Sequence, residues 1–158
     1  MNRAIAFVLS TILSTAPFAA HAATEQYSST AYSVVTKLGE RETLPNGAVI
    51  EVGQTSYTAI VNDNTGEQAS QYCNGDAWLD SAGAPTHMVA HCTIFYDNGD
   101  LAWVSYTGTT NDAPLTWTVL GGTGKYAGAT GTGTSKSVSM RGDGYSGTYK
   151  ATGTITTK

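Results

Sequence analysis

Cys92-Thr-Ile-Phe-Tyr-Asp-Asn-Gly-Asp-Leu-Ala-Trp-Val-Ser105 decides how the rest of the chain is read. Two short runs rich in β-branched and aromatic residues flank a cluster of Asp, Asn and Gly, the pattern of a β-hairpin. A two-residue turn centred on Asn98-Gly99, with positive φ at both positions, joins them. That register sets Tyr96 opposite Leu101, Ile94 opposite Trp103 and Cys92 opposite Ser105. One hairpin upstream, a turn at Ala82-Gly83 sets Leu79 opposite Thr86, Trp78 opposite His87 and Cys73 opposite Cys92. Facing cysteines predict a Cys73–Cys92 disulfide. Strands alternate faces, so Met88, Cys92, Ile94, Tyr96, Leu101, Trp103 and Ser105 form an inner face. Val89, Phe95, Ala102, Val104 and Tyr106 form the outer one.

The C-terminal run extends the pattern. Tyr145, Gly147, Tyr149, Ala151, Gly153 and Ile155 alternate with Ser146, Thr148, Lys150, Thr152, Thr154 and Thr156. The first set is expected inside, with glycines leaving room beside the tyrosines. Similar runs are read as strands at Tyr32–Leu38, Ala48–Gly53, Tyr57–Asn62, Ser70–Leu79, Thr86–Tyr96, Leu101–Gly108, Leu115–Leu120 and Ala129–Met140. Helical periodicity is hard to find after residue 23. Eight or nine strands in one small chain predict an all-β, closed antiparallel barrel, because closure removes exposed edges. A two-sheet sandwich is the alternative.

Composition agrees. Only 13% of the 158 residues are charged, 18 are glycine, and the formal charge is −4. A balance with no basic footprint argues against a nucleic-acid partner. Met1 to Ala22 reads as a signal peptide: Arg3, an apolar run from Ala4 to Leu13, and Ala20-His21-Ala22 as the cleavage site. The run is too short to span a bilayer. Residues 23–158 are then one secreted or periplasmic domain with no membrane span, a compartment that favours the disulfide.

Val119-Leu-Gly-Gly-Thr-Gly-Lys-Tyr-Ala-Gly-Ala-Thr-Gly-Thr-Gly-Thr134 is the richest glycine segment. No helix follows it to offer its N-terminus to a phosphate, and Lys125 precedes Tyr126 rather than Ser or Thr, so it is no nucleotide loop. Gly121, Gly122, Gly124, Tyr126 and Gly128, followed by the alternating strand, resemble the Gly-Gly-[ST]-Gly-x-[FY] turn of the allene oxide cyclase and dirigent barrel superfamily. The resemblance covers about the last seventy residues. It implies an eight-stranded barrel, often trimeric, with an apolar cavity in which some members cyclise a fatty-acid epoxide and others steer phenoxy-radical coupling. The catalytic residues of those enzymes lie outside the matching turn, so none is assigned here.

The remaining motifs are weaker. His87 and His91 share an outward face and are read as surface histidines; no metal or other cofactor is expected. Arg141-Gly142-Asp143 is read as a turn. Glu51 is either an inward carboxylate or a solvated one, and the solvated reading is preferred because unpaired buried carboxylates are rare. The expected activity is binding of a small apolar or amphipathic molecule, with Met88, Tyr96, Trp103, Ser105, Tyr145 and Tyr149 as pocket residues. Cyclase, isomerase or dirigent-like steering would follow from positioning; a non-catalytic carrier and an exported protein-binding inhibitor are the alternatives. The apolar outer face predicts self-association, for which the resemblance implies a homo-trimer; a dimer, or a cover from residues 24–30, would hide the same patch.

Overall fold

A computed structural model describes residues 22–109, 113–141 and 146–158, with Val61 and Asn62 described by their backbone alone. Residues 1–21 of the expected leader and Tyr145 lie outside the described residues, as do Gly142 and Asp143 of the Arg-Gly-Asp triplet. The strands are β1 (Ala23–Lys37), β2 (Glu40–Thr43), β3 (Val49–Asp63), β4 (Ala69–Leu79), β5 (Pro85–Tyr96), β6 (Leu101–Gly108), β7 (Leu115–Gly122), β8 (Thr130–Met140) and β9 (Ser146–Thr157). One 3-10 turn spans Gly124–Tyr126. Each strand pairs antiparallel with the next from β3 to β9, and β1 pairs with both β9 and β3. Eight strands thus close on themselves, as the alternation predicts. β2 lies outside the ring on β3. No helix among the described residues is long and apolar enough to cross a membrane.

Two strand readings change. Residues 24–30 are not a cover: they begin β1 and pair with β9 from Ala23↔Thr157 onward, closing the barrel. The two runs at Ala48–Gly53 and Tyr57–Asn62 are one strand, β3, interrupted by a bulge at Gly53 (φ 77°) instead of ending there.

The β5–β6 hairpin corrects the register by one residue. Asp97-Asn98-Gly99 forms a three-residue loop: the Tyr96 amide donates to the Asp100 carbonyl at 3.0 Å, and the Gly99 amide to the Tyr96 carbonyl at 2.9 Å. Only Gly99 has positive φ (88°), whereas the expected two-residue turn needed it at Asn98 as well. Cys92 therefore faces Val104, and Ile94 faces Ala102. A one-residue slip moves every side chain of a strand to the other face. Ala102 and Val104 are buried and line the interior with Tyr106, while Trp103 is 42% exposed and Ser105 shares its outward face. Trp103 and Ser105 are therefore not pocket residues, and Ala102, Val104 and Tyr106 are not an outer patch.

The β4–β5 hairpin uses the same loop at Ser81-Ala82-Gly83, with Gly83 at φ 83°. A bulge between Trp78 and Leu79 then restores the expected register, so Trp78 meets His87 and Cys73 meets Cys92. The Cys73–Cys92 disulfide is formed across the two strands, 19 residues apart in sequence. A loop of that length contributes about 3 kcal/mol on the chain-entropy account.

Candidate functional site

The inner face encloses a cavity of about 590 Å³. Small-molecule sites fall in this size range, mostly apolar with a few placed polar groups. Ala31, Ile60, Ala90, Ile94, Val104 and Leu115 supply apolar wall. Of the expected pocket residues, Met88, Tyr96 and Tyr149 line it. The disulfide forms part of the same wall.

One end is closed by aromatic packing. Tyr27 meets Trp117 edge to face, with ring centroids 5.8 Å apart, and Tyr96 stacks on Tyr126 at 4.6 Å. Sequence explains each placement. A Cβ at Gly133 or Gly153 would run into the Trp117 indole, so these inward glycines of β8 and β9 make its slot; the Trp117 Nε1 donates to the Thr134 carbonyl at 3.2 Å. The glycine turn delivers Tyr126. Gly122 packs against the Leu101 carbonyl and Gly124 against the Asp100 carboxylate, where side chains would collide. Thr123 Oγ1 accepts from the Leu101 amide and Asp100 Oδ2 from the Lys125 amide, fixing the turn over the barrel end. Gly121, Gly124 and Gly128 all have positive φ, which favours glycine there. Burial pushes the Tyr27, Tyr96 and Tyr126 hydroxyls well above the ordinary phenol range, and Tyr106 up to about 12 although Gln71 hydrogen-bonds it.

The opposite end carries a polar cluster. Glu51 is only 4% exposed, and the solvated reading of it is wrong. Arg41 Nε donates to Glu51 Oε2 at 2.6 Å and Gln54 Nε2 to Oε1 at 3.1 Å. Glu51 and Gln54 are three residues apart, so strict alternation would put them on opposite faces. The bulge between them brings both inward, opposite Ala77 and Gly75. Bulges commonly re-aim side chains in this way beside functional sites. Asp76 Oδ1 holds the bulge by accepting from the Gly53 amide at 2.9 Å. Gly39 passes directly over Glu51: a Cβ there would lie 2.5 Å from Glu51 Cγ. Arg41 comes from β2, the short strand that composition did not mark.

Between the ends, Tyr106 Oη donates to Gln71 Oε1 at 3.3 Å, and Thr58 Oγ1 to Ser33 Oγ at 2.8 Å. His87 and His91 are exposed on the outside, His87 against Trp78 with centroids 5.1 Å apart. Among the described residues, no group of three or more His, Cys, Asp or Glu could hold a metal ion. The site thus offers a carboxylate acceptor and a guanidinium at its mouth, hydroxyls and an amide on its walls, and rings at its closed end.

No family model matches the chain, and no curated protein matches it. Among solved structures it is similar to a pterocarpan synthase dirigent protein, at TM-score 0.57 and 13% identity over 86% of this chain and 91% of that one. The likeness is one of fold. The chain shares the closed barrel architecture of that protein.

Proposed function

We propose that this barrel is an exported protein that holds a small apolar or amphipathic molecule in its cavity and steers that molecule's reaction by position. The carrying observation is the 590 Å³ cavity with the Glu51, Arg41 and Gln54 cluster at its mouth. Apolar walls favour burial of the guest, and a few fixed polar groups set its orientation. Holding a reactive guest in one conformation raises its rate and selects its product, which is how a dirigent-like or cyclase activity would arise. Residues 1–22 as a signal peptide and 23–158 as the mature domain belong to this reading, and the disulfide supports an oxidising compartment.

Native mass spectrometry of the protein purified from its own source tests it, with uptake of the neutral dye Nile red as a second readout. The reading expects a retained small molecule that displaces the dye, and an Ala90→Trp variant that stays folded by circular dichroism but takes up none. Dye uptake unchanged in Ala90→Trp would count against the cavity. A guest released chemically unchanged would favour a carrier over a steering protein.

Self-association is the second part of the reading, on a different patch from the one the hairpin register suggested. Tyr57, Tyr72, Thr93 and Trp103 form one row across β3–β6 on the outer wall. Their three rings and neighbouring Phe95 are each between 42% and 46% exposed. Strands β4–β7 carry a single charged residue, Asp76. A contiguous apolar patch of this kind marks a contact site, and a second copy of the chain is a suitably neutral partner. Light scattering should show an oligomer that Tyr72→Glu with Trp103→Glu disperses; a wild-type monomer would end this part.

A further inference from the structure

Several hydrogen-bond donors on the cavity wall end on oxygen. Arg41 and Gln54 donate to Glu51, Thr58 to Ser33, and Trp117 to the Thr134 carbonyl. Two other donors end on sulfur, a weak acceptor. Gln71 Nε2 donates to Cys73 Sγ at 2.9 Å, and Tyr149 Oη to Met140 Sδ at 3.3 Å. All four of these residues line the cavity. Exposure separates the two bonds. Met140 is 46% exposed, so solvent reaches the Tyr149 hydroxyl there, whereas Gln71 is only 7% exposed.

The Gln71 carboxamide has one workable orientation. Cys73 is bonded to Cys92, so its sulfur carries no hydrogen, and only the carboxamide nitrogen can face it productively. The carboxamide oxygen then turns to Tyr106, whose hydroxyl donates to Oε1 at 3.3 Å. Burial pushes the Tyr106 hydroxyl up to about 12, so it remains a donor through neutral and mildly alkaline pH. Nε2 carries two hydrogens. Among the described residues its acceptor is the Cys73 sulfur. Gln71 is thus a buried donor, fixed in direction, on a largely apolar wall. A guest displaces any water that serves such a donor and loses affinity unless it replaces the hydrogen bond.

The neighbours decide what the replacement is. Among the described lining residues Arg41 is the one cation, and Glu51 engages it, so a carboxylate at Gln71 would be buried without a counter-charge. A hydroxyl would bring a hydrogen of its own. The oxygens beside it already accept, Gln71 Oε1 from Tyr106 and, along the same strand pairing, Ser33 Oγ from Thr58. A carbonyl oxygen asks only for the donor.

We propose that Gln71 is the anchoring donor of the cavity, and that the guest carries an uncharged carbonyl oxygen that accepts from Nε2. The inference rests on the cavity being a binding site, and it narrows the guest to an apolar ketone or ester.

Three probes on one carbon frame separate the two claims: butyrophenone, the alcohol made by reducing it, and butylbenzene, each titrated calorimetrically. The ketone should bind more tightly than the alcohol. Gln71→Met, which keeps the side-chain length and removes the donor, should lower the ketone's affinity at least about fivefold and leave that of butylbenzene unchanged. The infrared carbonyl stretch of bound butyrophenone should lie below its position in hexane, and should return toward it in Gln71→Met. Ketone and alcohol binding equally, a ketone affinity indifferent to Gln71→Met, or an unshifted stretch overturns the anchor, while butylbenzene binding keeps the cavity reading standing. Binding of none of the three overturns the cavity reading itself. The wild-type stretch decides the matter even where Gln71→Met does not fold. Tyr106→Phe, which keeps the carboxamide donor, should weaken the ketone less than Gln71→Met does; a larger loss would give the bond to the phenol and overturn the proposal.

Discussion

Glu51 and Asp63 stand near opposite ends of one strand, β3, and both are placed by irregularities in its pairing. Glu51 meets Arg41 and Gln54 within hydrogen-bond distance, on a mouth that Gly39 covers. Asp63 Oδ1 accepts from the Thr65 amide, and its buried Oδ2 has no hydrogen-bond partner among the described residues. The same backbone device therefore serves two purposes. At the mouth it completes a polar cluster that solvent reaches through Arg41, whose side chain is 56% exposed. At the other end it sets Asp63 opposite Ser29 with its Oδ2 buried. Stability should reside in the aromatic end, and recognition away from it, toward the mouth, where Glu51, Arg41 and Gln54 line the cavity.

The largest effect expected from this contrast is at Trp117, which is buried at 3% exposure in the slot made by Gly133 and Gly153. Trp117→Ala leaves a cavity in the closed end and should cost about 3–5 kcal/mol in urea unfolding. A loss below 1 kcal/mol would show that the closed end is not the stabilising one.

Alkali should act on the same end. The buried tyrosines have folded pKa values above 10, so the folded state keeps protons there that the unfolded state releases. Their stabilising contribution is complete below pH 10 and is lost as pH rises through the folded values, about 12 for Tyr106. Thermal melts followed by tyrosinate absorbance should show ionisation of these rings coinciding with unfolding. Free ionisation near pH 10 in a still-folded barrel would contradict their burial.

The two carboxylates should give changes of different sign. Glu51→Gln loses an ion pair whose partner is largely solvated, and should cost only about 1 kcal/mol. Asp63→Asn keeps an oxygen to accept from the Thr65 amide and removes charge from an Oδ2 that has no partner among the described residues, so it should be neutral or stabilising. Matched urea curves for the two variants check the pair, and an Asp63→Asn loss larger than the Glu51→Gln loss would reverse the assignment.

The closed end was more legible in sequence than the mouth, for a physical reason. Period-two alternation along β9 marks Tyr149, Ala151 and Ile155 as inward, and the Gly121–Gly128 turn marks the barrel type. Those signals are local and regular. Glu51, Gln54 and Asp63 depend on irregular pairing along β3, and a bulge reverses the parity on which alternation relies. Gly53 is visible in the sequence, but a lone glycine signals a strand end as readily as a bulge. The hairpins show the same limit. Cys73 and Cys92 were paired correctly because the Trp78–Leu79 bulge offsets the three-residue loop at Gly83. No bulge follows Gly99 within the hairpin pairing of β5 and β6, so Trp103 and Ser105 face outward, opposite to what a two-residue turn predicts.

The proposed guest lies inside the barrel and not on the aromatic row outside it. Backbone amide NMR during a decanol titration tests it most directly, because inward and outward residues alternate along the same strands. Shifts should concentrate at Gln71, Ala90, Val104 and Trp117, with Tyr57, Tyr72 and Trp103 little changed. Shifts concentrated at Tyr57, Tyr72 and Trp103, with the inward set silent, would contradict it.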